Sequence, residues 1–153
     1  MLKRMKRSIV RDIVFILLFS FALPAFATVR LPKLISDGMV LQRDAKVRVW
    51  GWSSPAEKVT VNVAGNQYKC VANKAGEWSV QLRPQKAGGP YSIEIEGQNN
   101  AIKINNVLFG DVWLCSGQSN MELPMRRVKP LYESEIQNAN NSNIRYFAVP
   151  QKY

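Results

Sequence analysis

The 153-residue chain is 46% hydrophobic and 21% charged, with 21 basic and 11 acidic side chains. That composition excludes a disordered tail, a collagen-like fibre and a small disulfide-stapled scaffold. The sequence holds no histidine, so neither a serine–histidine–acid triad nor a histidine metal site can be completed from these residues alone.

Lys3, Arg4, Lys6, Arg7 and Arg11 form a basic head, followed by an apolar run from Ile13 to Leu23 and the small-residue pattern Ala25-Phe26-Ala27. This is the three-part layout of a secretory signal peptide over residues 1–27, and it implies export to the periplasm or beyond. A retained membrane anchor is the competing reading. The uncharged stretch from Ile13 to Val29 is 17 residues, at the lower limit for a span, and Pro24 interrupts it. No cysteine sits at the cleavage site, which argues against a lipoprotein signal.

Removing residues 1–27 takes away five of the 21 basic residues and one of the 11 acidic ones, leaving 16 against 10 and a net charge of +6. What remains is scattered, apart from a short cluster at Arg126, Arg127 and Lys129. Nucleic-acid binding, which needs a concentrated basic face, is excluded as a leading reading. In an exported protein Cys70 and Cys115 could form one bridge. Their expected positions on two apolar strands favour buried thiols instead.

From Leu34 to Asn105 the chain reads as short strands between turns. Ser36-Asp37-Gly38-Met39 carries the Asp-Gly pair that suits a type I′ hairpin. Val47 and Val49 alternate with Lys46 and Arg48; Val59, Val61 and Val63 alternate with Lys58, Thr60 and Asn62. A strand is expected around residues 67–72, and Trp78, Val80 and Leu82 alternate with Glu77, Ser79 and Gln81. Tyr91, Ile93 and Ile95, then Ile102 and Ile104, complete the series. Seven or eight strands with period two and no helical pattern predict an antiparallel β-sandwich over residues 28–105. Trp50, Trp52, Trp78 and Tyr91 are expected in its core, the alternative being an exposed platform that stacks on sugar rings.

After Asn106 the pattern changes. Val107-Leu108-Phe109 and Val112-Trp113-Leu114-Cys115 are nearly continuous apolar runs, the signature of strands buried on both faces. Pro130 precedes an expected helix with Tyr132, Ile136 and Ala139 on one face, and Ile144–Val149 reads as a further buried strand. Strand, loop, helix and strand make a β-α-β beginning over residues 106–153, too small to cover both faces of a sheet.

Between those runs lies Ser116-Gly117-Gln118-Ser119-Asn120. A serine in a tight turn at the carboxyl end of a buried strand suits a nucleophile, and its backbone N–H can face a developing oxyanion. The pattern departs from the G-x-S-x-G elbow, so an ordinary polar turn competes with catalysis. Asp111 suits pairing with a basic residue near the strand start, and Glu122 suits capping or solvating the turn. Arg126, Arg127 and Lys129 could attract an anionic carboxylate or simply solvate a loop.

The longer string Gly110-Asp111-Val112-Trp113-Leu114-Cys115-Ser116-Gly117-Gln118-Ser119-Asn120-Met121-Glu122 resembles the first block of the sialate O-acetylesterase family of SGNH-like serine esterases. Leu31 to Arg43, Val49-Trp50-Gly51-Trp52, Gly76-Glu77-Trp78, Glu135-Ile136 and Asn143-Ile144-Arg145-Tyr146-Phe147 are similar to that family in the same order. The resemblance implies an all-β sandwich followed by the opening β-α-β segment of an incomplete SGNH-type α/β/α domain. It implies a metal-free and cofactor-free serine esterase acting on O-acetylated sialic acid or another acetylated carbohydrate. Ser119 matches the nucleophile and one backbone oxyanion donor.

The family's triad aspartate and histidine come from later blocks with no counterpart here, so this chain alone is expected to be inactive, as the N-terminal portion of a truncated enzyme. Two other readings compete. One is a non-catalytic carbohydrate-binding or assembly module. The other is a split enzyme completed by a second chain docking on apolar strands of residues 106–153. Contact with a membrane is expected only through the signal peptide during export.

Overall fold

The computed structural model describes residues 28–149; the expected signal peptide lies outside the described residues. Seven strands form among the described residues: β1 Val40–Gln42, β2 Val47–Trp52, β3 Lys58–Val63, β4 Asn66–Val71, β5 Glu77–Leu82, β6 Gly88–Glu96 and β7 Ala101–Gly110. They make a five-stranded sheet in the order β1-β7-β6-β3-β4 and a two-stranded sheet of β2 and β5. All pairs are antiparallel except β1 with β7, which run parallel. The purely antiparallel expectation therefore fails at one edge.

Period-two alternation dictates which side chains turn inward. Val59, Val61 and Val63 of β3, Ile93 and Ile95 of β6, and Trp78, Val80 and Leu82 of β5 are buried, while their strand neighbours face outward. With Val49, Ile104, Val107 and Phe109 they form one cluster shared by the two sheets. Tyr91 meets Phe109 edge to face, with ring centroids 5.7 Å apart. Of the aromatics expected inside, Trp78 is buried, Trp50 and Tyr91 are half-buried, and Trp52 is exposed.

Turn chemistry differs from expectation at one point. Ala64 and Gly65 between β3 and β4 both have positive φ, 48° and 73°, as a two-residue type I′ hairpin requires. At Asp37-Gly38 only Gly38 is left-handed, at φ +78°, and Met39 N–H donates to Ser36 C=O at 3.2 Å. That is a type II turn. It leads not into a hairpin but into β1, which lies parallel beside β7.

Val107-Leu108-Phe109, expected to open the next unit, is the second half of β7, with Val107 and Phe109 in the shared core. Asn106, at φ +58°, marks an irregularity where the β6–β7 register shifts, and beyond it the strand continues. Val112–Cys115 and Ile144–Val149 are not strands. Their apolar side chains are exposed, Trp113 at 85% and Leu114 at 91%. A strand needs a neighbour for its backbone groups, and the described residues supply none there. The segment instead carries 3₁₀ turns at Ser119–Glu122 and Met125–Val128, then one helix, α1, at Lys129–Asn138. Tyr132 breaks the helical conformation at φ −137° and Ala139 lies past its end, so the three-residue apolar face expected there does not form as one stripe.

Two polar contacts, one buried and one half-buried, hold the strand connections. Glu57, 4% exposed, accepts from Ser54 N–H at 2.9 Å and Gln98 N–H at 2.7 Å, joining the β2–β3 and β6–β7 connections. Asn100 accepts from Val29 N–H at 2.8 Å and donates to Val29 C=O at 3.1 Å, as a neighbouring strand would. Glu57→Ala strands both N–H donors and is expected to cost about 2–3 kcal/mol, with Glu57→Gln costing less, in urea unfolding. At Gly51 an added Cβ would lie 2.3 Å from Arg30 C=O and 2.8 Å from the Trp78 ring. Gly51→Ala is expected to lower stability by about 2–3 kcal/mol in the same assay.

Candidate functional site

The serine segment leaves the fold at the end of β7, and residues just past β1 hold its exit. Register pairs Gln42 with Gly110, and Arg43 N–H donates to Gly110 C=O at 2.9 Å. The Gln42 side-chain carbonyl accepts from Val112 N–H at 2.9 Å. Arg43 Nε donates to Asp111 Oδ1 at 3.0 Å, and Arg43 Nη1 reaches Asp44 at 2.9 Å. Lys86 closes the chain on the other oxygen of Asp44 at 2.8 Å. Asp111 thus pairs with a basic residue beside the strand, as expected. Its hydrogen bond raises the Arg43 guanidinium above its ordinary pKa, with Asp44 adding to the effect. The hydrogen bond from Lys86, more than that from Arg43, lowers the Asp44 carboxyl.

Ser119 begins the first 3₁₀ turn, after Gln118 in an extended conformation. The turn closes with Met121 N–H donating to Gln118 C=O at 2.9 Å and Leu123 N–H donating to Asn120 C=O at 3.3 Å. The N–H groups of Ser119 and Asn120 precede those bonds and stay outside them. Gly117 has a steric role: an added Cβ would lie 2.7 Å from Met121 Cγ, so glycine lets the methionine fold back across the loop. Ser119 is exposed. With no histidine in the sequence, the geometry presents a hydroxyl and backbone donors that have no acceptor among the described residues, without a histidine base. Glu122 ends the turn.

The basic cluster divides. Arg126 and Arg127 lie exposed on the second 3₁₀ turn and make no ion pair among the described residues, whereas Lys129 pairs with Glu133 at 3.2 Å along α1. The two cysteines are not bridged, and the expectation of two buried thiols fails at Cys115, which is exposed because its segment forms no buried strand. Cys70 is half-buried on β4, and burial pushes its thiol up. Gln42 and Arg43 were not singled out as site supports from sequence. Their roles follow from the β1–β7 register, which strand alternation does not encode.

No family model matches the chain. Among curated proteins it is similar to the sialate O-acetylesterase of Mus musculus, 33% identical over 131 residues that cover 78% of this chain and 24% of that protein. The sialate O-acetylesterase of Homo sapiens is 38% identical over 110 residues, covering 65% of this chain and 21% of that protein. Among solved structures, a carbohydrate acetylesterase from Xanthomonas citri aligns with a TM-score of 0.70 at 39% identity, covering 75% of this chain and 26% of that one. The chain spans about a quarter of the length of these relatives.

Thiol alkylation followed by mass spectrometry is expected to label Cys115 well before Cys70, since Cys115 is exposed whereas Cys70 is half-buried and burial pushes its thiol up. The Asp44 carboxyl is expected to titrate below the ordinary aspartate value in a carbon-detected NMR titration. Because the folded value is the depressed one, the stability from its contacts is present above the unfolded-state value. It is lost as pH falls through the folded value, releasing Lys86 and Arg43.

Proposed function

The chain is a relative of the sialate O-acetylesterases, and from that kinship we propose that it carries the N-terminal part of an exported serine esterase removing O-acetyl groups from sialic acids or related sugars. The observation that carries the reading is the serine turn of residues 116–122, held at its base by Gln42 and Arg43. In this proposal the Ser119 hydroxyl attacks the acetyl carbonyl and the Ser119 N–H donates to the oxyanion. The layout of residues 1–27 supports export.

A serine hydroxyl becomes an effective nucleophile only when a base removes its proton. Since the chain lacks histidine, a histidine base has to come from outside these 153 residues. In this reading the serine turn contributes position and backbone donors, and the base comes from elsewhere.

A second reading, glycan binding without hydrolysis, draws support from β2. Trp52, in register with Glu77 of β5, is 37% exposed, whereas Trp50 is half-buried and packs against the core. An exposed indole beside a carboxylate suits a sugar ring.

Acetate release from an O-acetylated sialic acid tests the first reading. The 153-residue chain alone is expected to release none above background. Expressed together with whatever coding sequence follows Tyr153, the protein is expected to turn over. Ser119→Ala should then lower kcat by about 10⁴–10⁶-fold with little change in KM. Turnover unaffected by Ser119→Ala would remove Ser119 from the role. Calorimetric binding of the same sugar to the inactive chain, abolished by Trp52→Ala, would favour the second reading.

A further inference from the structure

Two stretches far apart in sequence meet at one side chain. Arg145 Nη1 donates to Gly38 C=O at 2.9 Å and also to Asn106 C=O, while Nη2 donates to Asn106 Oδ1 at 2.8 Å. Gly38 is the left-handed residue of the type II turn before β1, and Asn106 is the left-handed residue within β7. Backbone and side chain tie these two acceptors together: Gly38 N–H donates to Asn105 C=O at 3.0 Å, and Asn105 N–H donates to Asp37 Oδ1 at 2.6 Å. Both acceptor sites are thus also tied by contacts that do not involve Arg145.

The chemistry of the contact is specific. All the acceptors are neutral, and Arg145 makes no ion pair among the described residues. Nη1 bridges the Gly38 and Asn106 carbonyls and Nη2 adds the Asn106 Oδ1 contact, a rigid planar fork that a single ammonium nitrogen on a flexible stem does not reproduce. Salt screens charge pairs between exposed groups far more than such a hydrogen-bonded fork.

The topology gives this contact its consequence. The chain leaves the sheets at Asp111, tied by Arg43, and returns at Arg145 to Asn106, four residues before Gly110 on the same strand. The excursion between these ties contains the serine turn, the basic turn and α1. We propose that Arg145 is a positioning residue, the second of two fasteners that close the Ser119-bearing excursion onto the β1–β7 edge. The inference is independent of the chemistry assigned to Ser119.

Nitrogen-15 relaxation on the 153-residue chain tests it, with Ile93, Ile95 and Ile104 reporting on the sheets. In the unsubstituted chain residues 143–147 are expected to be ordered, with order parameters near the rigid-backbone value of about 0.85. Arg145→Gln is expected to drop them below about 0.6, with the strand residues unchanged. Asn106→Gly keeps a residue suited to positive φ and removes the Oδ1 acceptor, so it should loosen the same residues without disturbing the sheet. The double variant should be no looser than Arg145→Gln alone, and Arg145→Lys should fail to restore order at low or high salt. Equal mobility with and without Arg145, full order in Arg145→Lys, or summed effects in the double variant would each overturn the proposal. If Arg145→Gln also loosens the strand residues, the Asn106→Gly result decides.

Discussion

The parallel pairing of β1 with β7 is the constraint on which the rest of the molecule depends. β1 is only three residues long, yet it covers the edge of β7 and places Gln42 and Arg43 beside the point where the chain departs. Without that pairing, Gly110 C=O, Val112 N–H and the Asp111 carboxylate would each lose a named partner. The turn that delivers β1 depends in turn on Gly38, whose left-handed conformation is cheap for glycine and costly for most other residues. One turn residue thus acts through one short strand on the placement of a segment about 80 residues later in sequence.

The sheets were legible because their strands obey a simple rule. In β3 and β5 every second residue is apolar and buried, and nothing beyond period two is needed to assign their faces. The rule fails where apolar residues run together. Val107-Leu108-Phe109 and Val112–Cys115 look alike in sequence, but the first has β6 and β1 on either side and the second has no strand beside it among the described residues. Hydrophobicity states that a segment wants covering; it does not state that the cover is present. The turn at Asp37-Gly38 misled for a related reason: Asp-Gly suits a left-handed pair, but the next strand pairs elsewhere, and only Gly38 takes positive φ.

The candidate site was legible to a different degree. Ser119 stood out through the string around it, because serine between small and polar residues after an apolar run is a recognisable chemical device. Its supports were not. Gln42, Arg43 and Arg145 act through register and through acceptors held in unusual backbone conformations, and such relations exist only once the strands have paired. Charge patterning overstated the basic cluster, since of its three residues Lys129 is engaged along its own helix and only Arg126 and Arg127 make no ion pair among the described residues.

The four tryptophans sort themselves by surroundings. Trp78 lies in the shared core, Trp50 packs half-buried against that core, Trp52 is partly exposed on β2, and Trp113 stands almost fully in solvent two residues past the Asp111 tie. Indole emission moves to the blue as water is excluded, so the protein contains two optical reporters at opposite ends of that scale. A quencher confined to water should silence Trp113 and leave Trp78 bright. Anything that comes to cover the serine segment would then announce itself as a blue shift and loss of quenching at Trp113, while the signal of the sheets stays as it was.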